Sequence, residues 1–194
     1  MKLITSKDDT KIAIEVLVQT YVNAPNISWM FAQTEINLRY FFGMLVKEAV
    51  ERRSAYLTSD QCGLLILEDM HARHFSLSTI LRKLHLILFV LGVKHSFQII
   101  RLNHIKKKIR PQKGFYGSML VIKNHEFQWK TIFELKKEFT DMARNLGQPI
   151  YLETTNPRIF SLYKKLGFSP YYQMQHPYAN INIYFMKMEV LSPG

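Results

Sequence analysis

The chain has 194 residues and a mass of 22.9 kDa; 47% are hydrophobic, 21% are charged, and 26 Lys and Arg against 15 Asp and Glu give a formal net charge of +11. Only eight Gly and seven Pro occur, which excludes collagenous, low-complexity and disordered chains. The longest apolar run, Leu86–Val93, is far short of the roughly 20 residues a membrane-spanning helix needs, and the lone Cys62 can form neither an internal disulfide nor a cysteine zinc site. One domain over 1–194 is expected, with a helical and hairpin half at 1–110 and a second half at 111–194. Met1–Thr10 carries Asp8 and Asp9 and no long apolar stretch, so the expectation is a cytoplasmic protein without a secretory leader or membrane association.

The surplus charge is confined. Between Met70 and His125 there is no Asp or Glu, while eleven basic residues occur: Arg73, Arg82, Lys83, Lys94, Arg101, Lys106, Lys107, Lys108, Arg110, Lys113 and Lys123. The rest of the chain balances, 15 basic against 15 acidic. Such a segment either attracts anions (cofactor phosphates, nucleic acid, an acidic surface) or forms a solvated helical face and a basic loop.

In chain order, Thr10–Tyr21 has helical spacing, with Asp8, Asp9 and Thr10 as candidate caps, and Asn23–Asn26 with Pro25 breaks it. Glu35–Arg52 predicts a second helix, with Leu38, Phe41, Phe42, Leu45, Val46 and Ala49 on one broad face. Ser54–Thr58 and Gly63–Leu67 read as strands of a hairpin around Ser59-Asp60-Gln61. Ser76–Arg110 is helical again, as two helices, with Gly92 near the junction and Pro111 beyond the end. Tyr116–Ile122 predicts a strand. Ile132, Leu135, Phe139, Met142 and Leu146 recur every three or four residues, an amphipathic helix closed by Gly147. Ile150–Leu152 is a short strand, Asn156-Pro157 opens a helix that stops at Gly167, and Phe168–Tyr172 and Ile181–Met188 are the last strands. The fold class is mixed α/β. In the second half, an anionic ligand is expected where a strand feeds a helix N-terminus, the Ile122–Ile132 turn with Lys123 and Lys130.

Tyr151-Leu152-Glu153-Thr154-Thr155-Asn156, followed by Leu162-Tyr163-Lys164-Lys165-Leu166-Gly167-Phe168, resembles the distal signature of the GCN5-related N-acetyltransferases. The upstream order is similar too: a helix into Ala55–Thr58, Gly63–Leu67, and a long helical segment before Phe115-Tyr116. The resemblance implies a strongly twisted mixed sheet of six or seven strands flanked by helices. Two central parallel strands, here Tyr116–Ile122 and Ile150–Glu153, would splay apart around acetyl-CoA, with no metal involved. It implies that an amine, from a small molecule or peptide, attacks the thioester directly. Tyr163 matches the tyrosine that protonates the departing thiolate, and Asn156 the asparagine that hydrogen-bonds the pantetheine region. Main-chain groups of Leu120, Val121 and Ile122 would pair with the pantetheine amides.

The family's pyrophosphate turn reads Arg/Gln-x-x-Gly-x-Gly/Ala. Counting back without gaps from Gly147 puts Phe127 at the Arg/Gln position and Lys130 and Ile132 at the small ones. A shift by one matches Gln128 but leaves Thr131 and Phe133 there. The candidate cofactor-binding stretch therefore runs Phe127, Gln128, Trp129, Lys130, Thr131 and Ile132 without the glycines, and Lys130 would supply a point charge in place of a backbone cradle.

Each residue also has an ordinary role. Tyr163 can pack toward the sheet, Asn156 can simply cap its helix, and Glu153, the nearest carboxylate for an amine proton, can hold a loop. His71 and His74 form an H-x-x-H with no third ligand at suitable spacing, so no metal site is expected. Cys62 stands beside the predicted turn and is expected to be inert. Tyr171, Tyr172, Tyr178 and Tyr184 could line an acceptor pocket with Trp29–Phe42, or pack as core. Three readings stand in order: an acetyl-CoA-dependent N-acetyltransferase, monomeric or homodimeric; the same fold with a lost or altered cofactor site, serving as a binding or regulatory module; and a nucleic-acid binder through Arg101–Lys113, which lacks interleaved aromatics.

Overall fold

The computed structural model describes residues 1–22, 24–31, 34–70, 84–122 and 129–190. Its first strand, β1 (Lys2–Leu3), leads into helix α1 (Lys7–Tyr21). Ser6 caps α1 by accepting from the Asp9 N–H at 3.0 Å, so the helix begins three residues before the position read from its apolar spacing. Asp8 and Asp9 are not caps; they lie in the first turn, where the helix dipole favours negative charge. A short α2 (Pro25–Ser28) follows, then α3 (Glu35–Glu51), whose N-cap is Thr34.

Strands β2 (Ala55–Leu57) and β3 (Gly63–Asp69) form the expected hairpin. Residues 84–86 are helical and run into a π-helical turn, Ile87–Leu91; α4 (Gly92–Ile109) starts at Gly92, the anticipated junction. Then come β4 (Phe115–Ile122), α5 (Trp129–Leu146), β5 (Ile150–Thr154), α6 (Pro157–Leu166), β6 (Ser169–Gln175) and β7 (Asn182–Met188). Helix α5 begins at Trp129, so Trp129–Ile132 form its first turn.

The strands make one seven-stranded sheet in the order β1-β2-β3-β4-β5-β7-β6, antiparallel throughout except for β4 and β5. The alternation of side chains along each strand sorts the core into two layers. On one face, α1, α3 and the start of α4 pack against Leu57, Leu64, Ile66 and Val121. On the other, Leu135, Phe139 and Ala143 of α5 and Leu162, Tyr163 and Leu166 of α6 cover Leu65, Leu67, Ile150, Leu152, Met186 and Met188. Phe139 meets Phe168 edge-to-face, with ring centroids 5.3 Å apart. Burying these apolar faces supplies the main driving force for holding helices to sheet.

Gly114 fixes how β4 enters beside β5. Its φ is +113°, and an added Cβ would lie 2.7 Å from the Pro149 carbonyl oxygen and 2.9 Å from the Tyr151 ring. Next to it, the Phe115 N–H donates to that same oxygen at 3.1 Å. Gly147, at φ +60°, has open space where a Cβ would go. Gly114→Ala should therefore cost about 2–4 kcal/mol from backbone strain plus overlap, and Gly147→Ala only about 1 kcal/mol from strain alone. Urea unfolding of both variants checks this ordering.

Candidate functional site

The central parallel strands pair over a short stretch only, Phe115–Gly117 with Ile150–Leu152. Beyond it, β4 continues along β3 to Ile122, while Glu153 and Thr154 of β5 continue along β7. The parting coincides with a bulge: Gly117 faces Leu67 and Met119 faces Ile66, which leaves Ser118 as an extra residue on β4. A bulge bends its strand and increases its twist. Among the described residues, no strand pairs with β4 on the β5 side from Ser118 to Ile122. Backbone groups along such an edge require partners, and an extended, amide-bearing ligand supplies them as an added strand would. Leu120, Val121 and Ile122 lie on this edge.

The opening sits between helix ends and buried polar side chains. Phe127 and Gln128 lie outside the described residues. Trp129, Lys130, Thr131 and Ile132 are the first four described residues of α5. Asn156 caps α6: its Oδ1 accepts from the Arg158 N–H at 2.9 Å, which leaves its side-chain N–H₂ group to donate elsewhere. One turn and a half along α6, Tyr163 is 3% exposed. Burial first, and then the neighbouring Tyr21 of α1, push its hydroxyl far above the ordinary tyrosine range. Tyr21 and Tyr163 belong to helices on opposite faces of the sheet. Their influence on each other therefore acts across the sheet.

Glu153 is the first residue of β5 past the last β4 pair, on the face covered by α4. It is 14% exposed and bonded to two cations, Lys106 and, at 3.0 Å, Arg110 Nη2. Burial works against its ionisation, but Lys106 and Arg110 outweigh that and hold its pKa below the usual value. It is therefore a fixed carboxylate of weak basicity that fastens α4 to the root of the opening. The Arg110 guanidinium stacks over the Tyr116 ring, 4.1 Å from its centroid. Burial, and behind it the Glu153 charge, raise the Tyr116 hydroxyl well above its ordinary range and the Tyr171 hydroxyl to about 12.

The four C-terminal tyrosines separate. Tyr171 packs edge-on against Tyr151 at 5.8 Å, and Tyr178 stacks on Trp29 at 5.9 Å. Tyr184 instead meets Phe160 of α6 at 4.5 Å, and Tyr172 is half exposed. Trp29 also touches His176 at 4.9 Å, so the segment after α2 meets the β6–β7 turn. Burial first and then Lys106 hold His176 below its ordinary pKa, in its neutral form. A cavity of about 290 Å³ opens on the same face between α3 and the bulge, lined in part by Glu48, Arg52, Glu68, Ser118 and Met119. Sequence reasoning missed Lys106, Arg110 and Tyr116 as site residues; the basic run signalled the first two but not their partner.

Among the described residues, no group of three or more His, Cys, Asp or Glu could hold a metal ion, and His71 and His74 lie outside them. Nor is any described helix long and apolar enough to cross a membrane. No family model and no curated protein matches the sequence.

Solved structures do match. Arylalkylamine N-acetyltransferase 2 from Aedes aegypti aligns with a TM-score of 0.66 at 13% identity, covering 98% of both chains. A histone acetyltransferase HPA2-related acetyltransferase from Corynebacterium glutamicum aligns at 0.65 and 16% identity, over 99% of this chain and 97% of that one. The polyamine N-acetyltransferase of Drosophila melanogaster, which forms N-acetylagmatine, aligns at 0.59 and 10% identity, over 97% and 98%. This chain has the fold of the GCN5-related N-acetyltransferases, with seven strands within the six or seven expected.

Because the folded-state pKa of Glu153 is depressed, its ion pairs stabilise the fold above the unfolded carboxylate pKa and are lost as pH falls through the folded one. Removing the carboxylate strands two partly buried cations. Glu153→Gln should lower stability at pH 7 by roughly 3 kcal/mol, the lower end of the range for a broken buried pair. It should also flatten the loss of stability below about pH 4.5. Denaturant unfolding between pH 3 and 7 reads both effects.

Proposed function

We propose that this chain is an N-acetyltransferase that moves an acetyl group from acetyl-CoA to an amine of a small molecule or peptide. The observation that carries this reading is the parting of β4 and β5 after three residue pairs, which leaves a β4 edge unpaired among the described residues, with Tyr163 buried in the layer that α6 lays on the sheet. Acetyl-CoA supplies the acyl group already activated as a thioester. The main chain of Leu120–Ile122 holds the pantetheine amides, the N–H₂ group of Asn156 donates toward the same arm, and the N-terminal turn of α5 meets the phosphates.

The amine nitrogen forms its bond to the acyl carbon as the carbon–sulfur bond breaks. Tyr163 gives its hydroxyl proton to the departing sulfur, and the nitrogen's surplus proton passes through water to restore the tyrosine hydroxyl. With its raised pKa, Tyr163 stays protonated across the neutral range and is a hydrogen-bond donor throughout. Glu153, held ionised by two cations, can take up the amine proton only weakly and acts mainly as a fixed negative charge at the root of the opening.

A second reading rests on the sequence of the turn, where neither register places small residues: a binding or regulatory module that no longer admits the pyrophosphate. Release of free thiol from acetyl-CoA across a panel of amines separates the two. The transferase reading expects turnover, and Tyr163→Phe lowering kcat by about 10²-fold or more while acetyl-CoA affinity is unchanged. No turnover with any amine, together with no heat of CoA binding, contradicts it.

A further inference from the structure

Three polar atoms gathered around Glu153 are buried and have no hydrogen-bond partner among the described residues: Arg110 Nε, Tyr116 Oη and Tyr171 Oη. All three can donate, and none of them is bonded to Glu153 in this geometry. Lys106 and Arg110 take up its oxygens. The cluster carries two cations against one carboxylate, a net positive charge, under a helix whose last turn adds Lys107 and Lys108. Across the ladder from Tyr116 stands a carboxylate: Glu68, its partner on β3, lines the cavity beside the bulge and has no ion-pair partner among the described residues.

Strands lie about 4.8 Å apart, so Glu68, Tyr116 and the β5 cluster span roughly 10 Å across the root of the opening. A carboxylate pole and a donor-rich cationic pole thus flank the place where an acceptor would meet the thioester. A polyamine presents positive charge at both ends and would meet the cationic pole unfavourably. A simple arylalkylamine would leave the three buried donors unpaired, which is costly in a low-dielectric site.

Resting on the acyl-transfer reading, the geometry points to an acceptor that carries its own carboxylate: an amino acid, or an amine with an equivalent anionic group. Its ammonium or amine lies toward Glu68, and its carboxylate accepts from Arg110 Nε and the Tyr116 and Tyr171 hydroxyls. Arg and tyrosine hydroxyl donors suit a carboxylate, whose two oxygens accept several bonds at once.

Matched pairs differing only in the carboxylate test this: tyrosine and tyramine, tryptophan and tryptamine, lysine and cadaverine. Thiol release should favour the carboxylate member of each pair by at least about tenfold in kcat/KM, the size of one charge-assisted hydrogen bond. Tyr171→Phe, which removes a hydroxyl and little else, should shrink that ratio, and Arg110→Met should shrink it further. Equal rates, or a preference for the decarboxylated amines, would overturn the inference while leaving acyl transfer standing. If no amine releases thiol, the transferase reading fails, and calorimetric titration of the same pairs decides the inference separately. Tighter binding of the carboxylate members, weakened by Tyr171→Phe, upholds it; equal or absent binding rejects it.

Discussion

Everything that distinguishes this sheet follows from two parallel strands that stop pairing. After Gly117 and Leu152, β4 stays with β3 and β5 stays with β7, and the extra residue at Ser118 marks the turning point. A parallel sheet gains one ladder bond per residue it pairs, so an early parting gives up backbone bonds in the middle of the domain. The helical layers on both faces hold the parted halves apart. Phe139, Leu135 and Leu166 are fully buried against one face, and Leu17, Leu38 and Phe42 against the other. The cost of the unpaired edge is thereby spread over two cores that do not depend on it.

Charge is arranged around the same point. The eleven basic residues of the middle segment look from the sequence like a single anion-attracting tract. In the fold the tract divides. Lys106 and Arg110 turn inward to Glu153, while Lys107 and Lys108 end α4 where the helix dipole favours cations. The inward pair outweighs the upward push of burial on the carboxylate's pKa and holds it as an anion. Burial and that anion's charge keep the Tyr116 and Tyr171 hydroxyls neutral, as donors whose proton is firmly held. A site built from a fixed anion, two cations and neutral hydroxyls keeps its hydrogen-bonding pattern over several pH units.

Much of the architecture was legible because its signals are local. The apolar spacing of Leu135, Phe139 and Met142 predicts α5, and Asn156-Pro157 with Gly167 brackets α6 to the residue. What could not be read were features made by distant partners. The two-residue β1 becomes a strand only by pairing with β2 at the sheet edge, and nothing in Lys2–Leu3 signals that. The bulge at Ser118 is a property of register, invisible along one strand. The sequence offers Glu153 as a carboxylate for an amine proton or as a loop anchor and hides its ion pairs, since its cations lie 43 and 47 residues earlier. The α1 start was misplaced because Ser6, a single hydroxyl before the apolar pattern begins, outcompetes the acidic residues that follow it.

A crystal structure of the chain grown with CoA tests the opening between β4 and β5 most directly. The expected result is an extended pantetheine arm hydrogen-bonded to the main chain between Ser118 and Ile122, with the sulfur within reach of the Tyr163 hydroxyl. An opening filled by side chains, or CoA bound anywhere else on the molecule, would contradict it.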